Sequence, residues 1–580
     1  MTHSAPAASD HARWVGTVAL MFGAAVCLVG FHALSPSYAD FLIPQEGVQT
    51  LPERELVFYA WYGLLGSLAA LCLALAATRL GLGRPLTAAF ERVRAEPARL
   101  ALGIAAAAFS ASWLFRWACL QWQPIADDEA TYTFIARTLL AGKLVNPAPA
   151  DPEFFRNQFV VLNEHGWYGK YPIGHPLWLA VGEALGVRGV MGPLAGGLCV
   201  WLTFRLGRRL VSERRALLGT LLLCASPHFV WTCATQLSQP TSCLALMLGA
   251  VCLVRSYERE SVRAAAGAGV AFGFGILVRP LPGVLFASVA LLSFLVRVVR
   301  SPGTQRRRRM LDWLVCAVLC MSGGIALLWV NHVQTGDWLR SGYHEVHPHM
   351  ALLGTADKLA NSVLGSLLRE NFWLFGVPLS LLPVLWFRPR AHAVLWFGFI
   401  GAEVVYRVLA PKTVVGTTGP IYFTEVVPLL SLAAADGLVR AAGWLAKGTR
   451  AGSSLDPVAV LVAGAITAGS IFWPIELQTL RTGVQARSVL SQALAASHAE
   501  RALVFADALV YPPTNVTWAY FPDNPSPRLD DAIVTVRIPK RDSLRTMQRF
   551  WEQHFSDRRA FVFTWGPNGE PLFRELSDYF

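Results

Sequence analysis

Charge is what this chain has least of. Only 15% of its 580 residues are Asp, Glu, Lys or Arg, while 54% are apolar. A soluble globular chain carries about 25% charged residues. The deficit excludes an ordinary soluble domain and requires a polytopic membrane protein. Acidic charge is scarcer than basic, 38 residues against 50, for a net charge of +12. In a soluble protein that excess would suggest nucleic acid. Here no nucleic-acid partner is expected, because the basic residues fall in short loops between apolar runs, where positive-inside bias and anionic membrane lipids account for them. Cysteine is missing from the long polar stretches. All ten (Cys27, Cys72, Cys119, Cys199, Cys224, Cys233, Cys243, Cys252, Cys316, Cys320) lie within or at the ends of apolar runs. That excludes a disulfide framework and a CxxC metal site. No internal repeat stands out. No small-residue cleavage site follows the first apolar run, which is therefore expected to remain as an anchor.

What is present is a series of apolar runs near 14–34, 56–78, 99–120, 176–206, 214–233, 238–256, 263–280, 281–300, 311–331, 372–388, 392–410, 420–442 and 457–476. A membrane helix needs about 20 such residues, so the pattern predicts an all-α bundle of about 13 spans. The run 176–206 is too long for one span and reads as a short surface helix followed by the span. With the N-terminus inside, Arg205/Arg208/Arg209, Arg255/Arg259/Arg263, Arg306–Arg309 and the other strongly basic loops all fall on the inner side. Residues 121–175 and everything after 476 then fall outside. Residues 477–580 regain Asp, Arg and Pro. Strand-like Ala502–Phe505, Ala532–Val536 and Ala560–Thr564 alternate there with a helix-like 542–552, which predicts a small C-terminal α/β extramembrane domain. The expected organisation is two extra N-terminal helices (1–98), a transmembrane module (99–476) and this domain (477–580). The sequon at Asn515–Thr517 is too short a pattern to carry weight.

The longest polar interruption in the first two-thirds of the chain, Gln121–Pro176, is the candidate site. It opens with Asp127-Asp128-Glu129, continues as a helix-like run to Gly142, and closes with Lys170-Tyr-Pro-Ile-Gly-His175-Pro176. Acids at a helix N-terminus also favour the helix dipole, which is the bland reading. Their place after Trp117, Trp122 and Pro124, at the membrane edge, favours chemistry. One carboxylate acting as general base, with cations to hold a departing lipid phosphate, suffices for transfer of a sugar to a hydroxyl; a glycosidase would need two opposed carboxyl groups. The available cations are Arg137, Lys170 and Arg279.

Asp128-Glu129-Ala-Thr-Tyr132 through Gly142 resembles the first outer loop of the GT-C glycosyltransferases, a group that includes protein O-mannosyltransferases and the aminoarabinose transferases that modify lipid A. Lys170-Tyr-Pro-Ile-Gly-His175-Pro is similar to the family's return to the next span, with Tyr171 in place of its first proline. Arg279-Pro280 and Gly419-Pro-Ile-Tyr422-Phe-Thr-Glu425 fit the same layout. The resemblance implies a GT-C-like fold and inverting transfer from a polyprenyl-phosphate sugar at the outer face of a bacterial inner membrane. It also implies that Asp128 is the base, that Glu129 supports it beside Asp127, and that Lys170 contacts phosphate. Tyr132, His175, Tyr422 and Glu425 complete the expected substrate contacts. The acceptor would be a lipid, a protein or a polysaccharide.

His344-Glu345-Val-His347-Pro-His349 is the second motif, in the loop 332–371. Loop histidines of this kind are either exposed or in contact with substrate, as expected for His344. A divalent cation (Mg or Mn) is the alternative, with Asp128, Glu129 and His347 as its candidate ligands. Two other function classes stay open. A transporter or flippase of lipid-linked saccharides would place acids within spans, where Glu183 and Glu403 are the candidates. A non-catalytic envelope scaffold would not need the loop acids.

Overall fold

The computed structural model describes residues 7–33, 53–83, 85, 88 and 96–580, other than 158, 348–358, 360, 411–417, 449–455, 507–508, 512–515, 521–525, 540–542 and 567–569. His349 and Asn515 lie outside the described residues.

Helix α1 (Ala7–Ala33) is followed by α2 (Glu53–Trp61), which passes through a π-helical turn at Tyr62–Gly66 into α3 (Ser67–Arg79). Helix α4 (Pro97–Ala118) leads to the loop helix α5 (Asp127–Leu140). An antiparallel hairpin follows, β1 (Val160–Asn163) and β2 (Gly166–Gly169), and then the short α6 (Gly174–Ala184). The bundle continues with α7 (Met191–Leu210), α8 (Glu213–Cys224), α9 (Pro227–Ala234), α10 (Ser238–Arg259), α11 (Val262–Val278), α12 (Pro280–Val299) and α13 (Gly303–Thr335). It ends with α14 (Gly342–Val346), α15 (Ser366–Trp373), α16 (Ala393–Leu409), α17 (Val427–Gly448) and α18 (Pro457–Thr467), which runs through a π turn into α19 (Trp473–Ala496).

Helix starts follow local chemistry. Ser212, Ser226 and Ser261 accept from backbone N–H groups of α8, α9 and α11, while Pro97, Pro227, Pro280 and Pro457 open helices where no N–H is needed.

Among the described residues eight helices are long and apolar enough to cross a membrane, or nine if α8 and α9, bent by 56°, form one broken span. Helix α11, at 17 residues, is apolar but shorter. The run 176–206 divides as expected into a short helix and a span. The expected span 372–388 is corrected. The chain leaves helix at Trp373 and re-forms only a 3₁₀ turn at Leu382–Trp386, because Gly376, Pro378 and Pro383 interrupt it. The last span is longer than its apolar run. The helix passes Ile475 and Thr482 and ends at Ala496, since the residues beyond Glu476 keep good helix propensity after their hydropathy falls.

The C-terminal strands β3 (Ala502–Ala506), β6 (Ile533–Arg537), β7 (Arg559–Trp565) and β8 (Pro571–Glu575) form one sheet in the order β6-β3-β7-β8, with β4 (Leu509–Tyr511) and β5 (Val516–Tyr520) a separate hairpin. β3 pairs parallel with β6 and with β7, and α20 (Ser543–His554) lies between β6 and β7 in the chain. The three expected strands and the expected helix are present. β8 and both hairpins had no clear alternation to announce them.

This sheet is docked on the loop rather than tethered beside it. Phe154 stacks on Phe550 of α20 at 4.0 Å between centroids, and His554 Nε2 lies 3.0 Å from Asp151. One apolar core, including Phe154, Phe155, Trp167, Phe505 and Phe550, is shared by loop and sheet.

Candidate active site

After α4 the chain reverses over Gln121 and Trp122, both with positive φ, and enters α5 at Asp127. Two successive left-handed residues without a glycine cost about 1–3 kcal/mol each, so the turn is held by its surroundings. The three acids at the start of α5 then face three different partners.

Asp127 Oδ1 accepts from Arg487 Nη2 of α19 at 2.8 Å. Glu129 is buried. One of its carboxylate oxygens accepts from the Ile125 N–H and the other from the Gln236 N–H, each at 2.8 Å, with Arg116 Nη1 at 3.9 Å. Burial holds the Glu129 carboxyl above the usual range, against the pull of Arg116 and the two amides. Glu129 is thus a post joining α5 to the α9–α10 turn, and its oxygens are spent there. Asp128 accepts from the Tyr171 hydroxyl. The Tyr171 ring packs against Tyr132 at 4.6 Å and Tyr343 at 5.4 Å. Burial first, and then the Asp128 charge, push the Tyr171 phenol well above its usual range, so it stays a hydrogen-bond donor to the carboxylate.

Lys170 flanks the same ring. Its Nζ sits 3.4 Å from the Phe159 centroid, 4.9 Å from Tyr171 and 5.3 Å from Tyr343, and 3.3 Å from His347 Nε2. The ammonium lies against aromatic faces and an imidazole. Gly342 makes this possible: a Cβ there would come within 2.6 Å of the Lys170 backbone. Asp128 and Lys170 therefore share one wall, on either side of Tyr171.

The second half of the site comes from the bundle. Gly174 lets α6 start against the end of α11, where a Cβ would lie 2.5 Å from the Leu277–Val278 backbone, and so brings the loop's return over Arg279. Arg279 Nη1 donates to Glu425 at 2.6 Å and Nη2 to the Tyr406 hydroxyl at 2.8 Å. The Tyr422 ring lies 5.7 Å from the Arg279 guanidinium and 5.1 Å from that of Arg407. Tyr132 joins the halves. Burial first, then Asp128, raise its phenol, while its hydrogen bond to Ser238 and the Arg279 charge lower it. Tyr422 lies within the same two fields. His228 bonds Glu370 at 2.7 Å and Thr424 at 3.0 Å, all buried, and so anchors the 421–425 segment from behind.

Asp128, Lys170, Tyr132, Arg279, Tyr422 and Glu425 are thus brought together. Arg137 and His344 are not, and His175 reaches the group only through its edge contact with Tyr132. Arg137 sits nine residues along α5 from Asp128, about 14 Å away, and binds Glu183 at 2.9 Å and Asp531 of the sheet domain at 3.0 Å. His175 is buried between Thr241 Oγ1 at 2.9 Å and the Gln236 carbonyl at 2.8 Å, and burial pushes it down to about 4, so it is a neutral strut. His344 folds back onto Ser341 to cap α14.

Of the candidate metal ligands, Glu129 accepts from backbone amides, His347 Nε2 meets Lys170 and Asp128 accepts from Tyr171; among the described residues no three His, Cys, Asp or Glu side chains converge. Sequence reasoning missed Tyr343, Tyr406, Arg407 and Arg487. Arg407 alone carried a signal, a charge inside an apolar run.

Residues 184–329 match the family model for dolichyl-phosphate-mannose-protein mannosyltransferases. No curated protein matches the chain by sequence. Among solved structures the chain is similar to ArnT from Cupriavidus metallidurans bound to undecaprenyl phosphate, at 16% identity, covering 80% of this chain and 92% of that one, with a TM-score of 0.49. It is also similar to the archaeal oligosaccharyltransferase AglB from Archaeoglobus fulgidus in complex with an inhibitory peptide and a dolichol-phosphate, at 11% identity, covering 70% and 58%, with a TM-score of 0.37.

Proposed function

We propose that this chain, whose residues 184–329 match a mannosyltransferase family model and which has eight or nine candidate membrane helices among the described residues, is a glycosyltransferase of the GT-C type that moves a sugar from a polyprenyl-phosphate donor to an acceptor hydroxyl with inversion. The arginine-rich loops argue that this occurs at the outer face of a bacterial inner membrane, with the N-terminus and those loops in the cytoplasm. The observation that carries the reading is the joint wall: Asp128 on the Tyr171 hydroxyl, Lys170 against the same ring, and Arg279 beneath Tyr132 and Tyr422. In the step, the acceptor oxygen bonds to the anomeric carbon from the face opposite the phosphate. The carbon–oxygen bond to the lipid phosphate breaks, and its electron pair stays on the phosphate. The hydroxyl proton passes to Asp128. Arg279 and Lys170 stabilise the departing anion, so no general acid is needed. Glu129 and Asp127 hold α5. The sheet domain, packed on the loop, borders the side from which a lipid, protein or polysaccharide acceptor would approach.

The test is Asp128→Asn in isolated membranes supplied with a labelled polyprenyl-phosphate sugar. A loss of turnover by about 10²–10⁴-fold at normal expression is expected; unchanged turnover sinks the base assignment. One observation favours transport as a second reading: Glu403 of α16 is 1% exposed and neither carboxylate oxygen has a hydrogen-bond partner among the described residues. Movement of an intact lipid-linked saccharide across vesicles, abolished by Glu403→Gln, would select it.

A further inference from the structure

We propose that Arg487, on the helix that carries the last apolar run out of the bundle, is a positioning residue for this site: it neutralises Asp127, fixes the start of α5, and leaves Asp128 turned to the tyrosine wall. The inference rests on the glycosyl-transfer reading and adds the element that sets the charge around the base.

The pair is sheltered. Arg487 Nη2 lies 2.8 Å from Asp127 Oδ1, with side chains 8% and 17% exposed, so water and salt screen it little. Adjacent residues of a helix point about 100° apart, and Asp128 accordingly meets Tyr171 rather than Arg487. The same C-terminal part of the chain grips the other end of α5, where Arg137 donates to Asp531 at 3.0 Å. The loop helix is therefore clamped at both ends by ion pairs to residues beyond 476, and the N-terminal one adjoins Asp128. Without that guanidinium the Asp127 charge is no longer offset by Arg487, nor is that of Glu129, which lies in the same field; like charge nearby disfavours the ionised form of Asp128, and a carboxylate that already holds a proton cannot accept one from the acceptor.

The experiment follows turnover of a labelled polyprenyl-phosphate sugar at sub-saturating concentration, which reports kcat/KM, from about pH 5 to pH 9 in isolated membranes. Wild type is compared with Arg487→Lys, Arg487→Gln and the double variant Asp127→Asn/Arg487→Gln. Arg487→Gln is expected to move the acid limb of the profile up by about one pH unit. Arg487→Lys keeps the wild-type limb, and the double variant brings it back. Loss of rate with an unmoved limb, or the same displaced limb in the single and double variants, overturns the proposal. Should Arg487→Gln not accumulate, Asp127→Asn decides alone. It removes one negative charge beside Asp128 while keeping the guanidinium, and is expected to move the limb down; an unmoved limb overturns the proposal. No turnover by folded wild-type protein fails the glycosyl-transfer reading and this inference together, a result distinct from either limb outcome.

Discussion

The wall around Asp128 and the cluster around Arg279 use the same kinds of side chain and surround charge differently. At the wall, Asp128 accepts from a phenol, and Lys170 lies against three rings and an imidazole. In the cluster, charge is matched by charge, Arg279 against Glu425 with a side-chain exposure of 10% and 0%. Depth is alike, 5% exposed for Lys170 and 9% for Arg279 as whole residues; the difference lies in the neighbours, since the Arg279 guanidinium, stripped of water, is matched by the Glu425 carboxylate. At the loop, dipoles and ring faces orient a charge without cancelling it. In the proposed reaction Asp128 would take the proton, and Arg279 would meet the phosphate while its charge is already balanced by Glu425.

That contrast can be broken most forcefully at Arg279. Arg279→Gln leaves Glu425 buried without its ion pair and is expected to lower stability by about 3–5 kcal/mol. The double change Arg279→Gln/Glu425→Gln recovers most of that stability but not turnover. Equal melting temperatures for the single and double variants would show that the pair is not self-balancing.

His175, the neutral strut packed edge-on to Tyr132 at 4.6 Å, sharpens the comparison through pH. Its imidazole titrates near 6.5 when unfolded and is pushed down to about 4 when folded. The native state therefore binds fewer protons. The stability it contributes is complete above about pH 6.5 and is lost as pH falls toward 4, a change of about 3 kcal/mol at most. His175→Gln should flatten the thermal stability profile over that window; an unaltered slope would mean that the imidazole is not held neutral.

The smallest effect is expected at Tyr171. Tyr171→Phe keeps the ring against Lys170 and removes the hydrogen bond to Asp128, worth about 1.5–3 kcal/mol for a charged acceptor. A fall of about tenfold or somewhat more in kcat, with KM for the donor little changed, is expected. A rise in KM alone would place Tyr171 in donor binding instead.

The loop acids were legible because acidic residues are rare in a chain this apolar, and three together at a membrane edge have few structural uses. Their separate roles were not legible. Asp127, Asp128 and Glu129 look alike in sequence, yet they meet Arg487, Tyr171 and two backbone amides. Two of those partnerships are contributed by residues more than 100 positions away, so no local pattern announces them. Arg137 was misread for the same reason, since Asp531 is 394 residues distant. Tyr171, a departure from the family's proline, proved to be the residue that holds Asp128.

Composition and hydropathy by themselves determined that the chain crosses a membrane many times, that its polar chemistry concentrates after α4, and that strands return beyond 500. These are local properties, set by how each short stretch partitions between water and lipid. Only the tertiary structure decided which acid keeps a neutral partner, which cations face it, and that the C-terminal helix and sheet clamp the loop. Those outcomes depend on which distant side chains close packing brings within hydrogen-bond reach, a choice that no stretch of sequence makes alone.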